Sequence, residues 1–240
     1  MLRKFLLIHF LFAGATSTVF AQNNSADTLF IRSAINYARK LNDEVTYREW
    51  GLYTGSHYLA RATSDETFPY FLTSSLSKGE IIYQGERYDV SLLYDVHRDK
   101  LIIQHYEGFL IELVSQSVSA FSFNGHKFKR FSNLAERKNQ VGFYEILYDG
   151  ETKFLAKRVK VSKEIVERGG VKVNYSQRDI FFIVKGDSFY KVQSKKSVLS
   201  ALLDQEQNLK KYIRASDIHF NHHREEAIRN ILQFYDSQKQ

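Results

Sequence analysis

Cysteine is absent from this 240-residue chain. Its absence excludes thiol catalysis, disulfide exchange, cysteine-ligated metals and anchoring through a lipidated cysteine. Exported animal domains usually carry disulfides, so an exported chain without cysteine is more typical of a bacterial periplasmic or secreted protein.

Proline occurs once, as Pro69. No stretch rich in proline, glycine and serine interrupts residues 22–240, and the sequence therefore predicts a single β-rich domain there. A chain of this length can bury a substantial hydrophobic core. Tyr and Phe are abundant, at 15 and 19 residues, and aromatic side chains are typical of β-strands.

The chain also lacks an apolar run of the length that a membrane-spanning helix needs, about 20 residues. Residues 5–12 form a shorter apolar run behind Arg3 and Lys4, and the small residues Val19 and Ala21 follow it. This pattern predicts a secretory signal peptide over residues 1–21, cleaved before Gln22. We therefore expect an exported protein, periplasmic or secreted, with no transmembrane helix after signal removal.

Acidic residues are fewer than basic ones: the chain has 27 Asp and Glu and 34 Lys and Arg, which gives a formal charge of +7. Loss of Arg3 and Lys4 with the signal peptide would leave about +5. This charge favours anionic envelope components, although it also suits an ordinary solubilising surface. No nucleic-acid-binding motif is present, so nucleic acid is not expected as a partner.

Residues 22–75 are predicted to contain a helix followed by an aromatic connection. Apolar residues recur at helical spacing between Asp27 and Leu41. Asp27 or Ser25 can cap the start of this helix. Residues 50–71 are aromatic and irregular, as expected for a packed connection.

Residues 80–193 change to a period of two, which is typical of β-strands. Turn dipeptides separate the strand-like segments: Gln84-Gly85, Asn124-Gly125, Asp149-Gly150, Gly169-Gly170 and Gly186-Asp187. Asn-Gly and Asp-Gly are strong hairpin signals because the tight turn needs positive φ. The sequence predicts an α+β fold, a curved or barrel-like antiparallel β-meander with an N-terminal helix and C-terminal helices.

The two strongest turns also predict the register of their strands. A two-residue turn at Asn124-Gly125 pairs Phe123–His126, Ser122–Lys127, Phe121–Phe128 and Ala120–Lys129. The same treatment of Asp149-Gly150 pairs Tyr144–Leu155, Phe143–Ala156 and Glu145–Phe154.

Residues 194–240 return to helical spacing, with three apolar stripes that need a partner surface. The first comprises Val198, Leu199, Leu202 and Leu203, the second Leu209, Tyr212 and Ile213, and the third Ala227, Ile228, Ile231, Leu232 and Tyr235. We expect this segment to pack on the meander.

Several strings, together with the signal peptide, resemble a group of uncharacterised exported proteins of Bacteroidetes-type bacteria. They are Leu93-Tyr94-Asp95, residues 142–150, residues 194–199 and residues 209–213. The resemblance covers most of residues 22–240 and implies export and a hairpin with a helical tail. It implies no activity, so it assigns no functional residue.

His219, His222 and His223 are the candidate metal ligands, since helical i, i+3 and i+4 spacing can hold a metal. The alternative is a set of solvated histidines in the first turn of a helix. No glutamate lies between them in the zincin pattern. We predict no metal and no cofactor.

Trp50, Tyr53 and Tyr58 are candidate ligand or glycan contacts, because sugar rings stack on aromatic faces. Glu145, on an aromatic strand, is a fourth candidate contact. The alternative for the aromatics is a place in the hydrophobic core. A run of basic residues from Lys153 to Lys163 predicts either a ridge for anions or a charged outer strand that resists aggregation.

Three classes of function remain open, and no catalytic residue is predicted. The first is a non-enzymatic binding or envelope-interaction protein, whose partner is an envelope component or a small apolar ligand. The second is a hydrolase of envelope glycans or lipids, and the third is a structural subunit of an envelope assembly. A hollow sheet interior would favour ligand binding. Two carboxylates that face each other across a cleft would favour an enzyme, and a broad apolar patch would favour an assembly subunit.

Overall fold

The structure is a computed structural model that describes residues 31–35, 37, 51–60, 67–131, 141–167, 170–216, 218, 220 and 223–239. The chain divides into two compact units, Met1–Arg48 and Glu49–Gln240. In the first unit, residues 31–35 and 37 are helical, within the predicted helix. The predicted signal peptide lies outside the described residues. No helix within the described ranges is long and apolar enough to cross a membrane.

The described part of Glu49–Gln240 contains thirteen strands and three α-helices. The strands are β1 (Ser56–His57), β2 (Ser77–Tyr83), β3 (Glu86–Asp95), β4 (Lys100–Gln104), β5 (Leu110–Glu112), β6 (Val118–Phe123), β7 (His126–Phe131), β8 (Gly142–Asp149), β9 (Lys153–Lys157), β10 (Lys160–Glu167), β11 (Gly170–Gln177), β12 (Ile180–Lys185) and β13 (Ser188–Val192). The helices are α1 (Lys195–Ala201), α2 (Glu206–Ala215) and α3 (Arg224–Ser237).

Eleven strands form one antiparallel sheet in the order β1-β5-β4-β3-β2-β6-β7-β8-β9-β12-β13, and β10 and β11 form a separate hairpin. The sheet does not close on itself. Its two meanders, β2–β5 and β6–β9, join where β6 returns to pair with β2. The predicted α+β class with an antiparallel meander is confirmed.

The hairpin at Asn124-Gly125 has the predicted register, with Phe123 opposite His126 and Phe121 opposite Phe128. Asn124 and Gly125 have φ angles of 49° and 79°. Both central residues of the turn therefore lie in the left-handed region that the primed hairpin turn requires.

The predicted register at Asp149-Gly150 is wrong. Glu145 pairs with Ala156, and Asp149 pairs with Lys153, so three residues form the loop instead of two. The cause lies far along the chain, because the hydroxyl of Thr152 donates to the Asp236 carboxylate of α3 at 2.9 Å. A shift of register at Leu147, between Ile146 and Tyr148, accommodates the longer loop.

The concave face of the sheet is filled by aromatic rings. Tyr94 on β3 lies 5.2 Å from Phe121 and from Phe128, and 5.9 Å from Phe143 on β8. Asp99, between β3 and β4, accepts a 2.6 Å hydrogen bond from Tyr94 and one from the backbone N–H of Phe143 at 3.3 Å. Burial, followed by the charge of Asp99, raises the pKa of Tyr94. These contacts show that the sheet curves strongly and that side chains occupy its interior.

The helices cover the same face of the sheet at β9 and β12. The buried residues of this second core include those of the three predicted stripes, namely Val198, Leu199, Leu202, Leu209, Ile213, Ile228, Ile231, Leu232 and Tyr235. Leu203 departs from its stripe, since it is 66 % exposed in the 3-10 turn after α1. The helices therefore belong to the core of the second unit, as expected.

Candidate functional site

A row of polar side chains crosses four strands of the sheet. Asp89 on β3 lies opposite Glu80 on β2, Glu80 lies opposite Ser122 on β6, and Ser122 lies opposite Lys127 on β7. Directly opposed residues share a face of the sheet. Because adjacent residues alternate between faces, this face is opposite the one that holds Phe121 and Phe123. Strand spacing of about 4.8 Å makes the row roughly 14 Å long.

An open groove of about 740 Å³ follows this row. Lys78 and Ser91, which are also cross-strand partners, line it beside the row. Glu80 forms an ion pair with Arg87 at 2.8 Å. Lys127 and Asp89 form no ion pair with another described residue, so both signs of charge remain available to a ligand.

A second depression of about 360 Å³ adjoins the groove. The two share Asp89, Val90 and Ser91, and the second continues past Gln104 to aromatic side chains at the end of β4. The two depressions therefore meet at the Asp89–Ser91 stretch of β3, and the second reaches aromatic rings beyond β4.

The second depression is lined by the rings of Tyr53, His105 and Tyr106. Together with His57 and Phe109 they form a set of rings in mutual contact, which we call the aromatic cluster. The rings of His105 and Phe109 stack at 4.2 Å, and those of His105 and Tyr106 lie 3.9 Å apart. Tyr53 approaches His105 edge-on at 5.0 Å. Tyr106 is 71 % exposed and Phe109 37 %. The cluster therefore presents ring surface to solvent.

A tight turn positions the cluster at the end of β4. The N–H of His105 donates to Phe109 O, and the N–H of Gly108 donates to His105 O, each at 2.8 Å. Gly108 has a φ of 95°, a conformation that favours glycine. This turn brings His105, Tyr106 and Phe109 together, and Tyr53 packs on them from the segment before β1.

Of the four predicted ligand contacts, the structure places Tyr53 in the aromatic cluster. Tyr58 is buried and donates a 2.9 Å hydrogen bond to Asp95. Burial, then the hydrogen bond with Tyr70, raises the pKa of Tyr58. Trp50 lies outside the described residues. Tyr58 therefore packs in the core and offers no ring face to a ligand.

Glu145, the fourth predicted contact, lies at the centre of a buried charge cluster. It accepts a 2.5 Å hydrogen bond from Arg158 Nε, and its other oxygen lies 2.5 Å from His126 Nδ1. Arg158 also pairs with Asp179 at 2.5 Å and with Glu225 of α3 at 2.6 Å. The cluster links the sheet to the helices. Glu145 is therefore a buried structural residue in this cluster.

The basic run from Lys153 to Lys163 is mixed in its exposure: Arg158 is buried, Lys157 and Lys160 are partly buried, and Lys153 and Lys163 are exposed. Burial lowers the pKa of Arg158, but the hydrogen bond of Glu225 and the charge of Glu145 outweigh it and raise the pKa overall. Lys157 pairs with Asp99 at 2.7 Å. Lys160 donates to backbone oxygens, and burial lowers its pKa.

His219 and His222, two of the candidate metal ligands, lie outside the described residues. His223 is the residue before the first turn of α3. Within the part of the chain that the structure describes, no three His, Asp or Glu side chains group as a metal site would require.

Sequence reasoning missed most of this site. Of the aromatic cluster only Tyr53 was a candidate, and Asp89, Glu80 and Lys127 were not. The Gln84-Gly85 turn carries a usable signal, because its two-residue loop places Tyr83 opposite Glu86 and hence Glu80 opposite Asp89.

The chain was compared with family models, with curated proteins and with solved structures, and none of them matches it. The groove and the aromatic cluster are therefore interpreted from their own chemistry.

Proposed function

We propose that this chain is an exported envelope protein that binds a carbohydrate without modifying it. The observation that carries the proposal is the solvent-facing aromatic cluster in the depression that adjoins a polar groove. The groove would hold several sugar units, with the cluster at one terminus.

Carbohydrates suit this combination of surfaces. A sugar ring has a face of C–H groups, which packs against exposed aromatic faces such as that of Tyr106. Its hydroxyl groups both donate and accept hydrogen bonds, and the row supplies acceptors at Asp89 and Glu80, a donor at Lys127 and a hydroxyl at Ser122. An apolar core with a few placed polar groups is the usual composition of a ligand site.

Because the interior of the curved sheet is filled by side chains, a ligand site on the surface is favoured over a site inside the sheet. Tyr94, Phe121, Phe128 and Phe143 occupy the concave face and are nearly or fully buried. A small apolar ligand, one of the expected partners, would need space that these rings already fill.

Export is part of the proposal, since envelope glycans are met outside the cytoplasm. It rests on the pattern of residues 1–21. Mass spectrometry of the protein produced in a Gram-negative host should find an N-terminus at Gln22. Intact Met1 on soluble cytoplasmic protein would contradict export.

The binding proposal is tested by titration calorimetry against a panel of soluble oligosaccharides, neutral and acidic. A ligand that binds the wild type should bind Tyr106→Ala about tenfold or more weakly, because the exposed ring is lost. Tyr190→Ala is the matched control, since Tyr190 is 38 % exposed on β13 at the opposite edge of the sheet. Equal affinity in Tyr106→Ala, or no binding across the panel, would contradict the proposal.

A hydrolase is a second candidate, favoured by the direct opposition of Glu80 and Asp89 in the groove. Opposed residues have Cβ atoms about 4.5–5.5 Å apart, so the two carboxyl groups lie close together on one face, and glycosidases act through a pair of carboxyl groups that flank the scissile bond. This candidate predicts release of reducing sugar that both Glu80→Gln and Asp89→Asn abolish. Binding without any hydrolysis would leave the first proposal alone.

A further inference from the structure

The last strand of the sheet has an unpaired edge. β13 pairs with β12, and no other described strand pairs with it. Exposed edge strands present unpaired backbone groups that can accept another strand. The opposite edge of the sheet, β1, is only two residues long, so β13 is the longer acceptor.

The hairpin register identifies which backbone groups face outward. Lys185 lies opposite Ser188, next to the two-residue turn that begins with Gly186 at a φ of 55°. The pair that flanks such a turn is hydrogen-bonded, and bonded pairs then alternate with non-bonded ones. The N–H and C=O groups of Phe189 and Lys191 therefore point away from β12.

A groove of about 500 Å³ runs between β13 and α1. On the strand side Tyr190 and Lys191 line it, and on the helix side Ser197, Ser200 and Ala201 do so. Small side chains on the helix leave room for another chain beside the strand.

The positive charge of the groove between β13 and α1 favours a partner of opposite charge. Lys191 and Lys196 both line it, and neither forms an ion pair with another described residue. A second copy of this chain would bring the same lysines to the same edge, and like charges placed together are unfavourable. An acidic segment would be complementary.

We propose that β13 binds an extended, acidic segment of another polypeptide, which adds to the sheet as a further strand. Backbone hydrogen bonds to Phe189 and Lys191 would supply affinity, and the lysines would select acidic side chains at alternate positions. This surface lies at the β13 edge of the sheet, whereas the carbohydrate groove crosses β3, β2, β6 and β7. The two surfaces share no lining residue, so the two proposals stand or fall separately.

The test uses the full-length protein and an eight-residue peptide that alternates glutamate and valine. Fluorescence anisotropy should show saturable binding that weakens with added salt. Lys196→Glu should weaken binding about tenfold or more. Lys195→Glu is the matched control on the same helix, since Lys195 does not line the groove, and it should change affinity less than about twofold.

Backbone pairing is tested by Lys191→Pro, which removes an outward N–H that the sheet does not use. This variant should keep its unfolding midpoint and lose the peptide. If it fails to fold, a peptide N-methylated at alternate residues tests the same bonds on wild-type protein and should not bind. Absence of binding at about 1 mM peptide, equal binding of a lysine–valine peptide, or unchanged binding of the methylated peptide would overturn the proposal.

Discussion

Replacement of Arg158 by methionine tests the account of the buried charge cluster. The side chain of Arg158 is 7 % exposed and that of Glu145 is 4 % exposed. Methionine keeps the length and packing of the arginine stem but removes the guanidinium, so Glu145 and Asp179 lose their common partner.

Removal of one partner from a buried ion pair costs about 3–5 kcal/mol, because the remaining charge stays buried. A domain of ordinary stability has about 5–15 kcal/mol in total. At about 2–4 °C per kcal/mol for a chain of this size, the melting temperature should fall by roughly 6–20 °C. Urea unfolding followed by circular dichroism measures the same loss as a change in midpoint.

Glu225→Gln serves as the control, because Glu225 is 36 % exposed and should contribute no more than about 1 kcal/mol. The double variant Arg158→Met with Glu145→Gln should recover part of the lost stability, since it leaves fewer uncompensated charges. A loss below about 1 kcal/mol in Arg158→Met would refute the reasoning.

Further predictions concern the turn, the tail and metal dependence. Gly125→Val should destabilise the fold by roughly 1–3 kcal/mol, because a β-branched residue resists positive φ; an unchanged melting temperature would contradict the turn. Truncation before His222 removes α3 and its fully buried side chains, worth roughly 1.5–3 kcal/mol each, and should give insoluble or molten protein by near-ultraviolet circular dichroism. If the truncated protein stays monomeric and keeps its unfolding midpoint, the apolar stripe of α3 would instead face a partner. Excess chelator should leave the melting temperature unchanged, and a loss that zinc restores would assign a metal to residues 219–223.

Local signals in the sequence predicted local structure well. The Asn124-Gly125 register is confirmed because the turn alone determines it. The Asp149-Gly150 register failed because Thr152 binds Asp236, 84 residues away. The order of the strands in the sheet could not be predicted from local signals either. Pairing of β2 with β6 brings Ile81 and Phe121 together although a whole meander separates them in the sequence.

The candidate site could be predicted only in part from the sequence, because its residues also come together from distant parts of the chain. Tyr53 is predicted as a contact because it is an aromatic residue in a suitable segment, but its partner His105 lies in the turn after β4. Alternation along the basic run predicts one continuous strand that contains Arg158, either as a ridge for anions or as a charged outer strand. The chain instead leaves the large sheet after β9 and enters the separate β10–β11 hairpin, and Arg158 between the two is buried.

The carbohydrate proposal is tested most directly by nuclear magnetic resonance of the labelled protein during titration with an oligosaccharide. The account predicts that resonances of Tyr53, Tyr106 and Phe109 shift first and most, together with the amides of Asp89 and Ser122 along the row. Shifts confined to other surfaces, such as Tyr190 on β13, or spectra that no oligosaccharide changes, would contradict it.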